Sequence, residues 1–364
     1  MRRRRVALGA LLLTLLASSA IYVAFGLRVY AHYGAAYADY TTACDTLVAW
    51  SPPQTLYTGF YPNLSTLVTV RYRSPRPEAT RLTISIPGFT QPQSLDANSA
   101  QGFRSASFKP PLLTSNTLDA LAQQQRHDAQ IRLQLTAGAH LLCATSAPIT
   151  LISRQWIQWR NSATGVSNMP LIAGWVTPND PSITTLRGRA AKRLSDNPIA
   201  YDATPALFGY DQGAATPQQV RDQVDALFDT LQFDYHLRYA SDNPPFTPDT
   251  AQQVLLPRDV LAESAPTGMC VETSVIMASA VERLGMRPFI VFTSDHAILG
   301  VAVSDDPHAL VEYWETSDLN GLGVTGVQAN NDGDLKYAQY VQTHQIKEII
   351  DIQHERNLGI APME

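Results

Sequence analysis

Apolar and polar residues alternate in three early stretches of the chain. Val68, Val70 and Tyr72 are separated by Thr69 and Arg71. Leu82, Ile84 and Ile86 enclose Thr83 and Ser85, and Ile131, Leu133 and Leu135 enclose Arg132 and Gln134. A period of two in runs of this kind predicts strands buried on one face. Pro75, Pro77, Pro87-Gly88 and Ala137-Gly138 supply the turns between them. The pattern predicts a small antiparallel, Ig-like β-sandwich over residues 44–155. Residues 156–169, with Trp156 and Trp159, read as a linker, and the period lengthens from Pro170 onward. Asp180-Pro181-Ser182 marks a helix start, with the helix continuing to about Leu194. Thr216-Pro217 opens a second helix whose buried face is Val220, Val224, Leu227, Phe228 and Leu231. Residues 170–364 thus form a second domain, and the fold class is α+β.

The stretch Thr267 to Asp318 has its own pattern. Val271, Val275, Ile276, Ala278, Ala280, Val281 and Leu284 make a helix that is apolar nearly all round, so it is buried, and Gly285 stops it. Thr267 or Gly268 can cap this helix, and Cys270 falls in its first turn. His296 to Val303 reads as one strand and Leu310 to Glu315 as the next, joined by a turn through Asp305-Asp306-Pro307-His308.

The first 43 residues differ from everything that follows. Arg2–Arg5 contribute +4 to a formal charge of −5, so the remainder carries −9 and offers no basic field for nucleic acid. Val6 to Gly26 is uncharged, about the ~20 residues a membrane helix needs. Residues 1–26 therefore read as a cytoplasmic tip and membrane anchor, with a cleaved signal peptide ending near Ser18-Ser19-Ala20 as the alternative. Residues 27–43 read as a stalk. Either reading exports the bulk of the chain to the extracytoplasmic, periplasmic side. Export changes the meaning of the three cysteines. In an oxidising compartment two of them pair, and the expected pair is Cys44 with Cys143. Cys270 is left over.

A thiol at a helix N-terminus meets free N–H groups and the positive end of the helix dipole, which favour a thiolate. A small buried hydrophobe is the plainer role for the same residue. His296 at a strand start is either a solvated histidine or the base for that thiol. Three carboxylates compete to orient it: Glu312, Glu315 and Asp318. Strand parity puts Glu315 on the face of Val311 and Tyr313, and Glu312 on the other. His296 lies nine residues before Asp305 and Glu315 nine after Asp306, so a turn centred there pairs them. Asp318 lies past the strand. The expected triad is Cys270, His296 and Glu315, with the Cys270 backbone N–H as oxyanion donor. No histidine pair has metal spacing and the cysteines are too few for zinc, so neither metal nor cofactor is expected.

Gly268-Met-Cys270-Val-Glu, His296-Ala-Ile-Leu-Gly300-Val and Glu315-Thr-Ser together resemble the transglutaminase-like superfamily of papain-type cysteine enzymes. Leu171-Ile-Ala-Gly-Trp-Val-Thr-Pro178, Gln253-Val-Leu-Leu-Pro257 and the tail Ile350 to Pro362 resemble a bacterial branch of exported, often anchored members. The likeness covers about Leu171 to Pro362. It implies a papain-like, transglutaminase-type domain and acyl transfer through a thioester on Cys270, with His296 as base and Glu315 as orienting acid. Many members have Asp at the position of Glu315, and the branch tends to have Gly where this chain has Asp295. The implied partners are a protein or peptide substrate or a cell-envelope component, besides the membrane at the N-terminal helix. A non-catalytic scaffold that binds peptide or envelope partners is the second function class.

Overall fold

The computed structural model describes residues 41–45, 47–74, 78–97, 103–160, 165–202, 204, 206–241, 246 and 251–363. They divide into two compact units. One runs to Leu121 and resumes over Arg126–Ile152; the other comprises Ala122–Gln125 and everything from Ser153.

In the first unit, strands β1 (Thr41–Ala43), β2 (Val48–Trp50), β4 (Val68–Tyr72) and β7 (Arg104–Phe108) form one antiparallel sheet. A second sheet has the order β3-β9-β8-β5-β6, from β3 (Thr55–Tyr57), β5 (Thr80–Ser85), β6 (Gln93–Ala97), β8 (Arg126–Ala137) and β9 (His140–Ile152). The alternating residues do what their period requires. Val68, Val70 and Tyr72 from one sheet meet Leu82, Ile84, Ile131, Leu133 and Leu135 from the other in a single core, while Arg71, Arg81 and Arg132 face out. The Cys44–Cys143 disulfide joins the end of β1 to β9, with 5.5 Å between Cα atoms. A bond of this kind belongs to an oxidising, extracytoplasmic environment.

The second unit is built on an antiparallel sheet of order β16-β15-β14-β17, from β14 (Pro288–Phe292), β15 (Ala297–Ala302), β16 (Val311–Trp314) and β17 (Glu348–Asp351). The inner strands β14 and β15 are buried at every position, which explains their unbroken apolar runs. Short pairs complete it: β10 (Trp156–Gln158) with β12 (Ala251–Gln253), and β11 (Arg238–Tyr239) with β13 (Thr267–Gly268). The stretch read as a linker therefore contributes a paired strand and the buried Trp159, whose Nε1–H donates to Gln252 at 2.8 Å.

Helix α1 (Thr117–Ala122) precedes β8. In the second unit, α2 (Pro181–Asp196) starts on Asp180, whose side chain accepts from the Ser182 N–H. Helix α3 (Pro217–Phe233) starts with a Thr216–Gln219 capping box. Helix α4 is Pro257–Leu261 and α5 is Cys270–Arg283. Every residue of α5 from Cys270 to Val281 is buried, because it packs between the sheet and α2, α3 and α4. Gly285, at φ +75°, allows the chain to leave it. Helix α6 (Gly326–Gln342) covers the edge strand β16, and α7 (Ile352–Asn357) closes the chain.

One part of the expected fold is corrected. Among the described residues no helix is long and apolar enough to cross a membrane, so the described fold is mixed α and β without a membrane helix. The segment Val6 to Gly26, on which that expectation rested, lies outside the described residues, as do residues 1–40 generally.

Candidate active site

Cys270 is the first residue of α5. The expected cap is corrected by one position or more. Thr267 and Gly268 are in β13, and Met269 is the N-cap. The Met269 N–H donates to Glu272 Oε2 at 2.9 Å, and the Leu255 N–H to Glu272 Oε1 at 2.8 Å. Burial raises the Glu272 pKa, and these two donors oppose the rise. An acid in the first turn thus ties the loop before Cys270 to the loop before α4.

His296 stands just before β15 and Glu315 just after β16. The His296 Nε2–H donates to Glu315, with 3.0 Å to Oε1 and 2.9 Å to Oε2. The imidazole also hydrogen-bonds the Cys270 side chain. With Nε2 on the acid, Nδ1 is the nitrogen left for sulfur. Three side chains from separate parts of the chain therefore stand in the order thiol, imidazole, carboxylate.

The hairpin reaches this arrangement by a register other than the expected one. Val303 N–H donates to Leu310 O, and Leu299 pairs with Trp314. The turn is therefore centred on Asp306-Pro307, one position later than assumed, and continuing the ladder sets Glu315 opposite Ile298. Glu315 meets His296 diagonally because the chain bends after Trp314 into a short 3-10 turn, Thr316–Asp318. Parity was unaffected, since a shift of two preserves the face.

Glu315 is fully buried and accepts from four donors. Besides His296 these are the Ser317 N–H at 2.9 Å, Ser317 Oγ at 2.6 Å and Lys336 Nζ at 2.9 Å. Burial alone would push its pKa up; the hydrogen bonds and charges of His296 and Lys336 prevail and hold it at about 2. Burial alone would push His296 down. Its hydrogen bonds to Cys270 and Glu315, with the charge of Glu315, prevail and raise it to about 10. Both shifts favour the charged forms of the pair, an imidazolium against a carboxylate.

The other two acids are engaged elsewhere. Glu312 lies on the opposite face of β16 in a bidentate pair with Arg221, both contacts at 2.5 Å. Asp318 is half-buried; burial, then the charge of Glu315, raises it to about 6.

Three nearby residues carry no signal in the linear sequence: Lys336, Tyr239 and Tyr340. Burial raises both tyrosines to about 12, and their electrostatic interactions with Cys270, Glu315 and Asp295 add to the rise. Behind the thiol, Thr316 Oγ1 lies 3.0 Å from both Thr273 Oγ1 and Ser274 Oγ. This buried hydroxyl cluster joins the acid's turn to the nucleophile's helix. Cys270 itself has no exposed surface, and His296 exposes 16% of its side chain. Among the described residues no group of His, Cys, Asp and Glu could hold a metal ion.

Sequence comparison finds no protein-family model that matches the chain and no match among curated proteins.

Proposed function

We propose that the second unit is an extracytoplasmic cysteine acyl-transfer enzyme of transglutaminase-like type, acting on a peptide or amide bond of a protein or cell-envelope substrate. The observation that carries this reading is the buried relay of Cys270, His296 and Glu315, in which His296 Nε2 lies 3.0 and 2.9 Å from the two carboxylate oxygens. In the proposed reaction the Cys270 thiolate attacks the carbonyl carbon and a C–S bond forms. The oxyanion is stabilised by the N-terminal turn of α5. His296 gives its proton to the leaving amine as the C–N bond breaks, which leaves a thioester. Water or an amine, deprotonated by His296, then attacks the thioester carbon and releases Cys270. Glu315 holds the imidazole and balances its charge throughout.

A second reading, a scaffold that binds peptide without chemistry, is favoured by the complete burial of Cys270. One measurement separates the two. Two of the three cysteines form the disulfide, so iodoacetamide alkylation of the oxidised protein reads Cys270 alone. A catalytic Cys270 reacts faster near neutral pH than an ordinary thiol, and His296→Ala removes the advantage. A wild-type thiol as slow as the His296→Ala thiol supports the scaffold instead.

A further inference from the structure

We infer that Lys336 is a positioning residue of the proposed reaction, held on the same carboxylate, Glu315, that holds His296. This inference rests on the catalytic reading of that site.

The geometry leaves Lys336 little choice of place. Strand β16 is an edge strand, and α6 satisfies its outward backbone groups. The Tyr313 N–H donates to Asp334 Oδ1 at 2.9 Å, Asn330 Nδ2 donates to Tyr313 O at 3.0 Å, and the Glu315 N–H donates to Ala329 O at 2.9 Å. Gly333 makes the approach possible, since a Cβ there would stand 2.4 Å from Tyr313 O. Helix and strand are thus locked in register, and the next inward-facing side chain along α6 is Lys336. Its ammonium lies 2.9 Å from Glu315 Oε2, the oxygen that also accepts from His296.

One carboxylate between two cations divides its field between them. Lys336 fixes the Glu315 rotamer and at the same time repels the imidazolium, so it limits how basic His296 becomes. A base that is too strong returns its proton to the leaving group less readily, because the best catalytic pKa lies near the working pH. The charged and titratable groups around His296 are Cys270 on α5, Glu315 after β16, Lys336 and Tyr340 on α6, Tyr239 on β11, and Asp295 beside it. Asp318 and Asp332 share the neighbourhood of Lys336. Of these, only Lys336 is a cation held on the orienting acid.

The test is an NMR titration of the His296 ring protons, assigned by comparison with His296→Gln, in the full chain. In Lys336→Met the midpoint moves to higher pH by on the order of one unit. In Lys336→Arg, which keeps the charge and the reach, it stays with the wild type. Lys336→Gln replaces the methionine variant if thermal unfolding shows that variant misfolded. An unchanged midpoint in the neutral variants overturns the proposal, and so does an equal shift in the arginine variant, which would assign Lys336 to packing alone. Failure of the catalytic reading appears separately, as slow alkylation of Cys270 in the wild type, and leaves the titration readable.

Discussion

The two units bury different things. The described buried polar residues of the sandwich are hydroxyl-bearing: Thr58, Ser74, Thr80, Thr90 and Thr117. Among the described residues the second unit buries eight acids, Asp180, Asp222, Asp225, Asp229, Glu272, Glu312, Glu315 and Glu355. A buried carboxylate costs several kcal/mol unless it is paired, so each needs a reason. For most the reason is local and structural. Asp229 accepts from Tyr201 Oη and the Gly326 N–H, and Glu312 holds Arg221. Asp225 accepts from Trp314 Nε1, and burial raises it to about 8. Glu315 alone among the eight is paired with a histidine that also meets a thiol. Buried charge therefore marks the unit that holds the candidate site, and the partner of the charge marks the site itself.

The sharpest way to break this comparison is Glu315→Gln. The amide keeps the shape, but it stabilises an imidazolium less well and can select the wrong tautomer. Acyl-transfer rate is expected to fall by about 10³–10⁴-fold with the fold retained. A rate within a factor of a few of wild type, measured once a substrate is in hand, would place Glu315 with the structural acids.

Next in size is the disulfide. Its cysteines are 99 residues apart, so replacing both by serine is expected to destabilise the sandwich by on the order of 4–5 kcal/mol in the chain-entropy account. Denaturant unfolding of the variant, followed by far-UV circular dichroism, measures this. Cys270 alkylation in native conditions should not change, which separates the stability of one unit from the chemistry of the other.

The paired charge also predicts a pH dependence. His296 is raised from 6.5 to about 10, so its contribution is fully present below pH 6.5 and is lost as pH rises through about 10. Glu315 is lowered from 4.5 to about 2, so its contribution is present above pH 4.5 and is lost as pH falls through about 2. The loss on the alkaline side is on the order of 2–4 kcal/mol. Thermal unfolding between pH 6.5 and 10 should show it in the wild type and much less of it in His296→Ala. Equal alkaline slopes in the two proteins would remove the imidazolium from the account.

Smallest is Glu312→Gln. It leaves Arg221 without its bidentate partner and is expected to cost about 1–3 kcal/mol of stability. Cys270 alkylation should keep its wild-type rate, because Glu312 faces away from His296. A slowed thiol in a folded Glu312→Gln protein would reverse the roles of the two glutamates.

The sandwich strands were legible because each buries one face, and a period of two survives in the linear order of residues. The starts of α2 and α3 were legible for a similar reason: Asp180 and Thr216 act within three residues of themselves. The odd cysteine count led to Cys44–Cys143 without geometry, since export leaves two thiols to pair. For the site, Cys270, His296 and Glu315 were selected by residue type, strand parity, an expected hairpin register and the Glu-Thr-Ser pattern of the transglutaminase-like resemblance. What sequence could not supply was everything set by distant contact. The hairpin register depends on a hydrogen bond between Val303 and Leu310, and the diagonal reach of Glu315 depends on the bend after Trp314. Trp159 looked like part of a linker because its partner, Gln252, is 93 residues away. Lys336 is an ordinary lysine on a polar helix until Gly333 lets that helix press on β16 and brings its ammonium to Glu315. Local patterns record which face a residue is on. The long-range packing of backbone on backbone decides which faces meet, and that is where the charge around His296 is set.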